Sequence, residues 1–173
     1  MVISSASIKA IITSIGTKAT DLSTPSETIS LSETDTFTDG AGGNGAEQHW
    51  SDQVTLTDGS NTELDLAGGL TDAFGDVITF TKIKAIFIRH NSTDSGLIYG
   101  HSAANGLPIM NAAALANAGG GVIAAGGWVL LVNPGSAGWA VTAGTGDLLK
   151  LEDDGTGAAG NKQVDVFILG ETS

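Results

Sequence analysis

Cysteine is absent from the chain, which excludes disulfides and thiolate chemistry and leaves burial and pairing to hold the fold. Cations are scarce. Seven Lys and Arg stand against 19 Asp and Glu, a formal net charge of −12. Nucleic-acid binding needs clustered cations to displace counterions from phosphate, and here the field has the opposite sign. The same argument excludes docking on an anionic membrane. No stretch of apolar residues is long enough to read as a transmembrane helix. The opening MVISSASIKAIITSIGTK lacks a basic n-region, and Ser, Lys and Thr interrupt its apolar residues, so it reads as retained. Aromatics are also few, at 5%.

What the chain does have is small residues. It holds 25 Gly among 173 residues, beside enough Ile, Val and Leu to build an ordered core. A chain of this length forms one domain and buries roughly 68–70% of its unfolded surface. The acidity keeps an abundant or crowded protein soluble.

Residues 1–26 read as an N-terminal arm and linker. Ile8, Ile11, Ile12 and Ile15 recur at helical spacing, with Gly16 placed to stop a helix. Ile and Thr equally favour extended backbone, so both conformations stay open. "DLSTPS" then links the arm to residues 27–173, where strands dominate. "ETISL" alternates. "QVTLT" and "TELDL" flank the turn "DGSN" and predict a hairpin. "VITFTKIKAIFIRH" is apolar on both faces, with Ile83, Ala85 and Phe87 on one and Ile86 and Ile88 on the other, which predicts an interior strand. "LPIMNAAALANAGGG" predicts one or two helical turns. "WVLLV", "GWAVTA", "DLLKLE" and "QVDVFIL" follow at turn-separated intervals. The expected fold is all-β: an antiparallel β-sandwich or jelly-roll-like single domain with an N-terminal arm and at most short helices.

Candidates for chemistry are weak. "GAGGNG" at 40–45 and "GTGAAG" at 155–160 match the dinucleotide pattern, but neither sits between a strand and a helix N-terminus, where phosphate binding needs it. His49, His90 and His101 lack metal-ligand spacing and read as surface or edge residues. His90 and His101 flank "NSTDSGLIYG" and meet if that segment is a hairpin. The acidic turns "DDGTGAAGN" and "DAFGD" do not follow a calcium-loop order, and Asp and Gly are turn formers. No catalytic, metal or cofactor site is expected. In "LDLAGGLTDAFGD", Leu70 and Phe74 are expected to pin a loop to the core. Trp128 reads as core and Trp139 as ambiguous. Trp50 reads as the aromatic most available to a partner.

The segment from His49 to Thr93, "HWSDQVTLTDGSNTELDLAGGLTDAFGDVITFTKIKAIFIRHNST", resembles small virion structural proteins of tailed bacteriophages, as does "GWAVTAGTGDLLKLEDDGTGAAGNKQVDVFILG". Together these cover most of residues 49–170. The resemblance implies a non-enzymatic capsid decoration, or cement, protein on the outer capsid surface of the virion. It implies the major capsid protein as partner and a homo-oligomer, a trimer, as the assembly. Ile8, Ile11, Ile12 and Ile15 of the arm, with Trp50, are the expected partner contacts. The rival expectation is a tail, baseplate or fibre component that touches the host surface, with glycan binding as one form.

Overall fold

The computed structural model describes residues 3–101, 104–109 and 120–173. All regular elements among them are strands, and every pairing between them is antiparallel. The stretch expected to form helical turns falls largely on 110–119, outside the described residues.

Two sheets form a sandwich. The first runs β10 (Trp128–Val132), β7 (Lys82–His90), β13 (Lys162–Glu171), β3 (Gln48–Leu56), with the short β11 (Trp139–Ala140) also on β7. The second runs β4 (Asn61–Asp65), β12 (Leu148–Asp153), β8 (Leu97–His101), β9 (Gly120–Ile123). A ribbon of β5 (Ala67–Thr71) and β6 (Val77–Thr79) closes one side. Period-two alternation places Leu149 and Leu151 of β12, and Val164, Val166 and Ile168 of β13, between the sheets with Ile86 and Ile88 of β7. Burying such side chains contributes about 1.5–3 kcal/mol each.

Several elements depart from the sequence expectation. The "QVTLT" and "TELDL" strands do not pair: β3 joins β13 and β4 joins β12, so "DGSN" carries the chain from one sheet to the other. The strand "VITFTKIKAIFIRH" is broken into β6 and β7. Within β7, Ile83 faces the same core as Ile86 and Ile88, while Ala85 faces the other side. The cause is a bulge. Leu169 pairs with Ala85 but Gly170 pairs with Ile83, so Lys84 is one residue too many and the pleat flips there.

The N-terminal segment is extended. β1 (Ala6–Thr17) and β2 (Ser26–Phe37) pair along their whole length, from Ala6 opposite Phe37 to Thr17 opposite Ser26. β-branched Ile and Thr are stiff in a helix and pack well on a pleat, and "SETISLSETDTF" supplies the partner strand. The arm is therefore half of a hairpin. The linker "DLSTPS" is its tip, held by Lys18 N–H donating to Pro25 O and Thr20 N–H to Ser23 O. A boundary at residue 26 falls inside this hairpin. Its base packs on the outer face of the first sheet, where Ile3, Phe37, Ala46, Ala85 and Leu169 form a second buried cluster with Ala6 and Ile8 against it.

Candidate docking surface

Cross-strand partners share a face of a ribbon, so the register assigns two faces to the hairpin. One carries Ala6, Ile8, Ala10 and Ile12 from β1 with Ile29, Leu31 and Phe37 from β2. Its charged residues, Glu27, Glu33 and Asp35, are all acidic. The opposite face carries Lys9, Ile11 and Ile15 among Ser and Thr: Ser7, Thr13 and Thr17 on β1, and Ser26, Thr28, Ser30, Ser32, Thr34 and Thr36 on β2. The four isoleucines expected to dock together are thus divided. Ile8 anchors the base and Ile12 continues its face outward, while Ile11 and Ile15 look the other way.

The first face is continuous with the second core cluster. Ala6 and Ile8 pack there, and beyond them the stripe runs into solvent with Ile12 at 64%, Leu31 at 61% and Ile29 at 51% exposure. An isolated two-stranded ribbon is marginal in water. This one leaves its apolar stripe uncovered for most of its length.

The mount beneath it is tied to the sandwich. The 38–46 loop that follows β2 is tied to a buried ion pair. Lys84 Nζ lies 2.8 Å from Glu171 Oε1, with both side chains fully buried. The ammonium also donates to Gly42 O (2.9 Å) and Gly135 O (2.6 Å). Glu171 Oε1 accepts the Gly42 N–H (2.8 Å), and Oε2 accepts from Lys82 Nζ (2.7 Å). Burial pushes the Glu171 carboxyl up, but the hydrogen bonds from Lys82, Lys84 and Gly42 outweigh it and hold it below the usual glutamate range. The bulge presents Lys84 to this site. Nothing in the sequence pattern signals it, because Lys84 sits inside an apolar run. Nearby, Glu47 accepts from the Ser173 hydroxyl and the Thr172 and Ser173 amides, which lowers its pKa.

The remaining candidates from the sequence separate clearly once placed. Trp50 is buried at 7% exposure, because β3 turns it between the sheets opposite Ile168. It is no surface contact. Trp128 is the reverse: expected in the core, it stands 63% exposed on the outer face of β10. Trp139 is half-buried against the main core. Leu70 is buried as expected, but Phe74 is 76% exposed, because Asp72 Oδ1 accepts the Phe74 and Asp76 amides and the resulting tight turn points that ring outward.

His49 stacks on Phe167, with ring centroids 5.8 Å apart. His90 is buried rather than superficial. It ends the inward row Ile86, Ile88, His90, and neither ring nitrogen has a hydrogen-bond partner. β7 and β8 lie in different sheets, so His90 and His101 do not flank a hairpin; the side chain of His101 lies outside the described ones. Among the described residues no group of three or more His, Asp or Glu is arranged to hold a metal ion. In "GAGGNG" the Gly42 amide, which a phosphate would need, already donates to Glu171. "GTGAAG" runs from β12 into β13. Asp154 Oδ1 accepts the Thr156 hydroxyl and amide, which hold its carboxyl below the usual range. These aspartates shape turns.

No protein-family model matches the chain, and no curated protein matches it.

Proposed function

We propose that this chain is a non-enzymatic virion structural protein of a tailed bacteriophage: a capsid decoration protein that binds the major capsid protein on the outer surface of the head and stabilises it. The observation that carries the reading is the hairpin. A rigid sandwich holds out a 12-residue by 12-residue ribbon whose apolar stripe is continuous with a buried cluster yet open to solvent. Such a stripe is completed by whatever covers it. The resemblance of residues 49–93 and 138–170 to phage virion proteins suggests the major capsid protein as the partner.

The chemistry follows from the face. Ile12, Ile29 and Leu31 would fill an apolar groove, and Glu27, Glu33 and Asp35 would meet Lys or Arg on its rim. A net charge of −12 steers the protein toward a basic partner. It also opposes pairing of this acidic face with its own copy, so the trimer in this reading forms through another surface. Three hairpins on one trimer would multiply the effective affinity. The rival is a tail, baseplate or fibre component. Quantitative mass spectrometry of purified virions separates them: a copy number matching the head lattice supports decoration, and one matching the tail's few-fold symmetry transfers the proposal there.

A further inference from the structure

The outer face of the first sheet carries a second surface, away from the hairpin's stripe. Its residues fall into rows across β10, β7, β13 and β3. Trp128, Arg89, Asp165 and Gln53 form one row; Leu130, Phe87, Phe167 and Ser51 form the next. A third row, Val132, Ala85, Leu169 and His49, abuts the hairpin base, which covers Ala85 and Leu169 completely. The first two rows form a strip beside that base, with Phe167 packed against it.

The strip pairs aromatic faces with a fixed comb of hydrogen-bonding groups. The Trp128 and Phe87 rings lie 6.0 Å apart at 36°. Arg89 Nη2 lies 2.7 Å from Asp165 Oδ2, and Gln53 Nε2 donates to Asp165 Oδ1 at 2.9 Å. The side chains of Arg89 and Asp165 are 53% and 30% exposed. Arg89 keeps further N–H donors in its fork, and Gln53 keeps its carbonyl. The other exposed residues of this face on β3 and β13, Ser51, Thr55 and Gln163, are uncharged, and Asp52 stands on the opposite face of β3 at the sheet edge. A Trp this open on a sheet face, beside a polar row already held in place, is the arrangement a flat amphipathic ligand requires.

We propose that this strip binds a neutral oligosaccharide. One face of a pyranose presents C–H groups of partial positive charge, which match the negative face of the Trp128 and Phe87 rings. Its equatorial hydroxyls match the Arg89, Asp165 and Gln53 comb. Two rows across four strands measure roughly 14 by 7 Å, enough for about two or three sugar rings. The strip is small against the roughly 800 Å² per partner that a stable protein interface needs. Nucleic acids and acidic polysaccharides are opposed by the net charge of −12. This site does not depend on the hairpin's docking role.

The test is isothermal titration and tryptophan fluorescence of the full chain with maltohexaose, cellohexaose, laminarihexaose and chitohexaose, and with polygalacturonate as the acidic comparison. At least one neutral hexasaccharide binds and perturbs Trp emission. Trp128→Ala weakens that binding about tenfold or more without changing the melting temperature, because the ring is exposed. Gln53→Ala weakens it less, and Glu33→Lys on the hairpin leaves it unchanged. The proposal is overturned if no neutral hexasaccharide binds at millimolar concentration, if Trp128→Ala binds as wild type does, or if polygalacturonate binds as tightly. It is equally overturned if the wild type self-associates and Trp128→Ala abolishes that, since the strip would then be a protein interface.

Discussion

Lys84 and Glu171 meet at 2.8 Å with neither side chain reaching solvent, and through Gly42 their pairing ties the hairpin's return limb to the sandwich. Removing Lys84 leaves the buried Glu171 carboxylate only Lys82 and the Gly42 amide as partners, and orphans the Gly42 and Gly135 carbonyls that Lys84 serves. Lys84→Met is expected to cost about 3–5 kcal/mol of unfolding free energy. The double variant Lys84→Met/Glu171→Leu is expected to cost less than Lys84→Met alone, because no buried carboxylate remains. Urea denaturation of the three proteins checks the order.

The same carboxyl contributes to the acid sensitivity of the fold. Its folded pKa lies below the ordinary glutamate value of 4.5, so the folded state prefers it ionised. Its stabilisation is fully present above about pH 4.5 and is lost as pH falls through the lower folded value. Glu47, also lowered, adds to the trend with the same sign. Melting temperatures between pH 7 and pH 3 are expected to drop steeply below pH 4.5. Glu171→Gln starts lower at pH 7 and shows a shallower acid slope.

The bulge leaves no space at Gly170. A β-carbon there would collide with Lys82 O and come within 2.8 Å of Phe80 Cδ1. Gly170→Ala is expected to destabilise the fold by about 1–3 kcal/mol. Gly43, whose added β-carbon meets nothing within 4 Å, is the control, and Gly43→Ala is expected to stay close to wild type by the same urea titration.

Leu70 and Phe74 differ in the same way. Leu70→Ala removes a buried side chain and is expected to cost about 2–5 kcal/mol. Phe74→Ser is expected to stay within about 0.5 kcal/mol of wild type. Thermal melts of the pair are sufficient to tell.

The contrast between these two residues shows where sequence reasoning succeeds. Alternation in "DLLKLE" and "QVDVFIL" marks β12 and β13 directly, because one face of each is buried and the period is two. Pairing is not local, so the partners of β3 and β4 are invisible in the sequence: a turn signal such as "DGSN" reads the same whether the chain returns along its own strand or crosses to another sheet. The bulge at Lys84 is hidden for a related reason. An inserted residue inverts the face of everything before it, and no residue type announces the insertion. That inversion gives Ile83 different neighbours from those its spacing suggests, and it conceals the buried Lys84–Glu171 pair. For the docking surface, the isoleucines are legible but not their division between faces, since the helical and extended readings of β1 group them differently. Trp50 and Trp128 exchange roles because a Trp in a strand is assigned inside or outside by register alone, and a one-residue shift reverses the answer.

In the proposed role, the hairpin's apolar and acidic face docks on the head. Purified heads lacking this protein are titrated with the wild type and with Ile12→Asp/Leu31→Asp, and bound protein is measured by co-sedimentation. Both proteins are expected to melt at similar temperatures, since neither residue belongs to a core. Saturable binding by the wild type is expected, with a loss of affinity of about a hundredfold for the variant and weaker wild-type binding as salt rises. Variant binding at wild-type affinity would contradict the role of this face, and wild type that does not bind heads at all would contradict the decoration reading itself.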